Sequence, residues 1–338
     1  MTCLMIDVEG ISLKPEDVRR IKHPLVGGII LFARNFSDRN QLSELILAIR
    51  ELRNDLLISV DHEGGRVQRF RKSFTLLPDM GLIGKIYNQD KSKAIEIANF
   101  TGWLIAKELG ALEIDFSFTP VLDIDYGNSS IIGNRSFHHN IDPIIELSVA
   151  LHQGLNDGGM EGVGKHFPGH GYIKADTHLE KAVDPRDFEE IRNADMKIFE
   201  SLIQSGLFGI MPSHIIYSAC DKIPSGLSSF WLQQQLRKNL GFKGVIFSDD
   251  MSMNAAVLCS KDIKRRVLMA LNAGCDMVLV CNSPNDVDSL LNELEWQVSD
   301  SSLLRINKMK LNKDKVKAVN YKGQSLKEVQ KFIINITK

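Results

Sequence analysis

The sequence carries no surplus charge of either sign: 41 Lys and Arg stand against 42 Asp and Glu in 338 residues, a formal net charge of −1. A protein that grips nucleic acid through its phosphates needs a strong basic excess, so nucleic acid is not an expected partner. No apolar stretch approaches the roughly 18 residues of a membrane span, so no membrane association is expected either. The first ten residues hold Asp7 and Glu9 inside their apolar run. They have no basic leader and no small-residue cleavage site, so no secretory signal is expected. Cysteine is scarce, with five residues (Cys3, Cys220, Cys259, Cys275, Cys281), an odd number and no CxxC pair. That usage fits reduced thiols in a cytoplasmic protein. Cys275 and Cys281 fall in a strand-like run and read as buried, inert thiols. No Pro/Gly/Ser linker divides the first 285 residues.

What is present is the balance of an ordinary globular chain, 43% hydrophobic and 25% charged. Eight short apolar runs recur, at 4–7, 28–32, 57–61, 115–121, 162–167, 209–214, 244–250 and 275–281. Helical patterns fall between them at 39–53, 91–109, 144–157, 187–204, 229–240 and 261–273. Strand–helix alternation of this kind points to an α/β protein with a parallel sheet. Eight units within this length point to a single (β/α)8 TIM-type barrel rather than an open doubly wound sheet. The chain is therefore expected to be one catalytic domain over 1–338, with a barrel core to about 285. The remainder, 286–338, reads as a helical extension, and its Lys-rich part as a solvated surface helix pair. A monomer is expected.

Polar residues gather where the runs end: Asp61-His62-Glu63, Asp123 and Asp125, Lys165-His166, Ser213-His214, and Asp249-Asp250. The C-terminal strand ends of a (β/α)8 barrel build its catalytic face. Asp142-Pro143 and Asp184-Pro185 read as helix starts, each an Asp N-cap followed by Pro. That leaves about 17 residues between His166 and Asp184 without a helical pattern, and loops of such length usually serve a site. The stretch from His62 to about Asp90 is also long.

Three constellations could carry chemistry. Asp249 ends a buried strand, where a carboxylate is costly unless paired or used. The plain alternative is a helix N-cap, a task Asp250 could take while Asp249 faces the mouth of the sheet. The second is KHFPGHG (165–171) followed by ADTH (175–178). Three histidines and an Asp there could hold zinc, but the spacing is not HExxH and Lys165 would oppose a divalent cation. His166 and His170 could equally be loop histidines satisfied by backbone. His178, with Asp176 two residues earlier, could shuttle a proton. The third is DHEGGRVQRFR (61–71), where Gly64-Gly65 could fold Asp61 and Arg69 over one pocket; read alone, it is a surface salt bridge. Arg135, in IGNRSF (132–137), could simply anchor its loop.

Taken together, these four motifs (DHEGGRVQRFR, IGNRSF, KHFPGHG with ADTH, and FSDDMSM at 247–253) resemble glycoside hydrolase family three. Within it they resemble the single-domain bacterial β-N-acetylglucosaminidases. DVEG (7–10) and HPLVGGIILFARN (23–35) extend the resemblance from the first strand to about residue 255. The resemblance implies a retaining hydrolase with Asp249 as nucleophile, His178 as acid/base and Asp176 as its dyad partner. Asp61, Arg69, Arg135, Lys165 and His166 match positions that bind the terminal N-acetylglucosamine. The implied substrates are cytoplasmic muropeptide fragments, N-acetylglucosamine joined to 1,6-anhydro-N-acetylmuramic acid. No metal or organic cofactor is required. Three rival readings remain: a β-glucosidase or xylosidase of the same family, a metal-dependent barrel hydrolase using His166, His170, His178 and Asp249, and a silent sugar-binding protein. The 166–184 loop is expected to be mobile and to bring His178 to the substrate on closing.

Overall fold

A computed structural model describes residues 2–174 and 182–337. A strand falls on each of the eight apolar runs, two of them starting one or two residues early: β1 (Leu4–Ile6), β2 (Val26–Leu31), β3 (Leu57–Val60), β4 (Phe116–Ser117), β5 (Glu161–Phe167), β6 (Gly209–Pro212), β7 (Val245–Ile246) and β8 (Val278–Val280). They form one parallel sheet in the order β7-β6-β5-β4-β3-β2-β1-β8. The two strands at the ends of that order meet at a parallel bridge between Phe247 and Met277. There the Ser248 N–H donates to the Met277 carbonyl at 2.9 Å. The fold is thus α/β on eight parallel strands. Strands β1, β2 and β3 are buried at every position, which is why they read as continuous apolar runs without alternation. Phe116, Phe118 and Phe247 pack together, Phe116 lying 5.1 Å from each of the other two.

Parallel strands deliver all their C-terminal ends to one side, so side chains from distant parts of the sequence meet there. Helices set the spacing. α1 (Pro15–Ile21) and α2 (Arg39–Leu52) follow β1 and β2, with Asp38 capping α2 by accepting from the N–H groups of Asn40 and Gln41. The long stretch after His62 is better ordered than its composition suggests. It holds a small hairpin (His62–Gly64 with Val67–Gln68) and α3 (Met80–Tyr87), capped by Asp79.

α4 (Lys91–Gly110) and α5 (Ile141–Asp157) pack unusually close. A Cβ on Gly102 would lie 2.0 Å from the Leu151 carbonyl oxygen, and one on Gly154 would lie 2.0 Å from that of Asn99. α4 is buried from Ile97 to Gly110 with no solvated stripe. A helix buried on all sides needs cover on both faces. The end of the chain supplies it: Trp103 stacks on Tyr321 at 5.1 Å, Phe100 meets Phe332 edge-on, and Val329 and Ile333 of the helix Leu326–Ile336 are buried.

Several boundaries differ from expectation. Asp142 lies inside the first turn of α5, whose N-cap is Asn140. Asp184 caps nothing; it chelates the Arg186 guanidinium, and Asp187 caps the next helix through a capping box with Glu190. The helix expected over 187–204 is two, α6 (Phe188–Asn193) and α7 (Asp195–Gln204). The break turns Asp195 inward, where it accepts from Arg186 at 2.8 Å and from the Tyr126 hydroxyl at 3.0 Å. The tail is no solvated helix pair but helices Pro284–Glu293, Asp300–Lys308, Lys313–Val316 and Leu326–Ile336 with a hairpin between the last two. All five cysteines are free thiols, and Cys3, Cys275 and Cys281 are buried.

Candidate active site

A cavity of about 310 Å³ opens among the strand ends, and Asp61, Arg69, Arg135, Lys165, His166 and Asp249 all line it. That is near the lower bound of small-molecule pockets, room for one sugar ring held tightly.

One wall is built by period-two alternation after β3. The His62 ring turns away from the cavity onto Phe70 and Phe74, at 5.9 and 5.8 Å, while Asp61 and Glu63 face the other way. Gly64 and Gly65 then reverse the chain at φ 117° and 54°, a backbone that a Cβ would strain. The turn returns Arg69 to Asp61, its Nη2 donating at 3.3 Å. Lys165, buried on β5, bridges Asp61 at 2.8 Å and Glu63 at 2.6 Å. Arg135 donates its Nε and Nη2 to the two oxygens of Glu63 at 2.8 and 2.7 Å. The result is a chain of alternating charge, Arg69–Asp61–Lys165–Glu63–Arg135. Burial opposes ionisation of Asp61, but the charges of Lys165 and Arg69 outweigh it and hold that carboxyl below the usual range. Glu63 is likewise held below its ordinary value, with Arg135 and Lys165 overcoming its burial.

Asp123, just past β4, organises the next part. It accepts from the His166 ring Nδ1 at 2.7 Å and from the backbone N–H groups of His166 and His170 at 3.2 and 2.7 Å. With Nδ1 so bonded, His166 presents its other ring nitrogen away from Asp123. The His170 ring stands edge-on to His166 at 5.6 Å, and burial lowers its pKa to about 4.

Asp249 sits past β7. The Asp250 N–H donates to its Oδ1 at 2.8 Å. Among the described residues its Oδ2 takes no hydrogen bond and Asp249 joins no ion pair. Burial opposes its charge, yet the nearby His214 and His166 and the Asp250 N–H hold its pKa below the ordinary value. Asp250 was offered as a helix cap and is not one. The helix Asn254–Val257 begins after Met253, and Asp250 instead accepts from the Ser252 N–H and hydroxyl and from the Cys281 N–H, tying β7 to β8. Burial raises its pKa to about 6. Two adjacent carboxylates are thus driven apart, one ionised and open to the cavity, the other bonded into the scaffold.

Asp176 and His178 lie outside the described residues, as do residues 175–181 of the loop expected to move. Among the described residues no three His, Cys, Asp or Glu side chains converge as a metal site. Sequence reasoning placed Asp61, Arg69, Arg135, Lys165, His166 and Asp249 about one cavity but left out Glu63, Asp123 and His214. The signal for Glu63 was its position two residues after Asp61 in an extended segment. For His214, whose Nε2 contacts the Asp250 carbonyl oxygen at 2.9 Å, the signal was its strand-end position.

The chain matches the family described as the glycosyl hydrolase family 3 N-terminal domain over residues 4–319. A β-hexosaminidase of Methylobacillus flagellatus is 54% identical over 307 residues, covering 90% of this chain and 88% of that protein. One from Hydrogenovibrio crunogenus is 49% identical, covering 90% and 85%. NagZ from Neisseria gonorrhoeae, in complex with N-trifluoroacetyl-D-glucosamine, has the same fold at a TM-score of 0.93 and 42% identity, over 100% of this chain and 98% of that one. Motifs, cavity and relatives agree: the chain belongs to glycosyl hydrolase family 3 and is a glycoside hydrolase of its β-hexosaminidase branch.

Proposed function

We propose that the protein is a retaining exo-β-N-acetylglucosaminidase that removes terminal N-acetylglucosamine through a covalent glycosyl intermediate on Asp249. The observation that carries this reading is Asp249 itself, an ionised carboxylate lining a cavity one sugar deep, with an oxygen that no described residue engages. Asp61, Arg69, Arg135, Lys165 and His166 hold the sugar, and Asp249 attacks its anomeric carbon from below. His178 gives a proton to the departing oxygen, Asp176 steadying the imidazole, and then takes one from the incoming water. Retaining hydrolases usually use two carboxyl groups for these tasks. An imidazole, with an unperturbed pKa of ~6.5, can both give and take a proton near neutral pH. No step calls for a metal or organic cofactor.

The substrates we infer are 1,6-anhydro-muropeptides of cell-wall recycling, acted on in the cytoplasm by a monomer. The N-acetylglucosamine analogue bound to the Neisseria gonorrhoeae protein supports the sugar. We further propose that the sheet closes as a (β/α)8 barrel, which the Phe247–Met277 bridge supports, and that 1–338 acts as one catalytic domain. Turnover of p-nitrophenyl N-acetyl-β-glucosaminide, the matching glucoside and xyloside, and an anhydro-muropeptide tests the reading, each with and without chelator. Preference for the glucoside or xyloside, or loss of activity with chelator, would contradict it.

A further inference from the structure

Two carboxylates two residues apart face the cavity, yet they are not equivalent. The Asp61 side chain is 20% exposed and that of Glu63 only 3%. Both Glu63 oxygens are occupied, Oε1 by Lys165 and Arg135 and Oε2 by Arg135. A carboxylate so engaged has little left to offer a sugar hydroxyl, whereas the partners it holds have donors to spare. Lys165 donates one hydrogen bond to Asp61 at 2.8 Å and pairs its charge with Glu63 at 2.6 Å, so its three N–H groups are not all spent on the two carboxylates. Arg135 spends Nε and one Nη2 hydrogen on Glu63 and reaches the Ile131 carbonyl oxygen from Nη1 at 3.4 Å, leaving further donors on its outer edge.

Glu63 is itself rigidly placed. It lies in the hairpin strand His62–Gly64, and a Cβ on Gly64 would come 2.4 Å from the Pro78 carbonyl oxygen, so this turn is pressed against the chain behind it. The Gly65 N–H fastens the same turn to the Leu77 carbonyl at 3.1 Å.

We propose that Glu63 is a positioning residue: it fixes the outward donors of Arg135 and Lys165 on the terminal sugar without binding the sugar itself. The inference rests on the sugar-binding role proposed above for those two cations. Removing the carboxylate frees the Arg135 fork and leaves Lys165 with Asp61 as its remaining bonded partner.

The test is a double-mutant cycle read by calorimetric binding of N-acetylglucosamine. Glu63→Gln keeps the volume but offers an amide N–H₂ to a cation, and is expected to weaken binding about tenfold or more, the scale of a lost charge-assisted bond. Glu63→Asp keeps the charge but shortens the reach, and is expected to weaken binding as well. In an Arg135→Met background, Glu63→Gln should cost no more than about threefold, because residues that act through one another are not additive. That double variant removes the buried pair together and leaves no lone charge to impair folding. Binding by Glu63→Gln within about twofold of wild type, or a loss as large in the Arg135→Met background as alone, would overturn the proposal. Wild-type turnover of p-nitrophenyl N-acetyl-β-glucosaminide is measured in parallel. Its absence would refute the proposed activity, while the binding cycle still judges Glu63.

Discussion

Gly102→Ala should destabilise the protein although alanine is the better helix former. The new Cβ would stand 2.0 Å from the Leu151 carbonyl oxygen and 2.9 Å from its carbon, where ordinary contact begins at 3.4 Å. Those atoms are backbone, so no side chain can rotate out of the way, and α4 and α5 must separate. α4 cannot simply retreat, because Tyr321 and Phe332 from the end of the chain are packed on Trp103 and Phe100 behind it. Overpacking of this kind costs ~1–3 kcal/mol and sometimes more. Against it stands a gain of ~1 kcal/mol in helix propensity. A backbone collision this close belongs at or above the top of that range, so a net loss of at least ~2 kcal/mol is expected. For a chain this long that is a fall in Tm of roughly 3 °C or more. Differential scanning calorimetry of Gly102→Ala beside Gly10→Ala, whose Cβ meets nothing within 4 Å, reads the difference directly. An unchanged or higher Tm for Gly102→Ala would mean that the helices are not held so close. The reasoning about the tail would then fail with it.

Lys165→Met should cost ~1.5–3 kcal/mol, because it takes one cation from Glu63, which keeps Arg135, and one from Asp61, which keeps Arg69; chemical denaturation measures it, and a loss below ~0.5 kcal/mol would disprove the buried bridge. Asp250, raised to about 6 by burial, favours the folded state most below its unfolded pKa of about 4 and loses that contribution as pH rises through 6. Asp250→Asn should therefore flatten the Tm profile between about pH 4 and 6, and an unaltered slope would refute it. Asp61, Glu63, Asp123 and Asp249 are depressed, so their contribution is present above about pH 4 and lost as pH falls further. An acid limb of kcat/KM above about pH 5 must accordingly belong to another group and should persist unshifted when His214 is replaced by Gln; a downward or upward move would assign it to Asp249. Replacing His178 with Ala should harm a substrate with a poor leaving group far more than p-nitrophenyl N-acetyl-β-glucosaminide; equal losses in the glycosylation step would argue against it as general acid.

What the sequence made legible follows from how many constraints met at each position. The eight strands stand out because a parallel strand covered on both faces must be apolar throughout. Asp249 and Lys165 stand out because charge at the end of such a strand has to be used or paired. Asp142 and Asp184 misled because Asp-Pro pairs serve turns and ion pairs as well as helix starts. Only the fold places Arg186 against Asp184 and supplies Asn140 and Asp187 as the N-terminal boundaries. Glu63 was legible as a polar strand-end residue but not as part of the site, because its partners, Arg135 and Lys165, are 72 and about 100 residues away and no local pattern links them. The tail escaped for a related reason. Its Lys residues suggest solvent, while its packed face (Tyr321, Val329, Phe332, Ile333) acquires meaning only beside α4, which is buried throughout from Ile97 to Gly110.

The measurement that bears most directly on the account is trapping of the glycosyl-enzyme. A 2-acetamido-sugar made slow by fluorine at C5, with a good leaving group, should accumulate the intermediate, and peptide mass spectrometry should find one sugar on Asp249. Asp249→Ala should show no label and no turnover while keeping the wild-type circular dichroism and Tm within a few degrees. A label on Asp250 or another residue, or an Asp249→Ala enzyme that still turns over, would contradict the central claim.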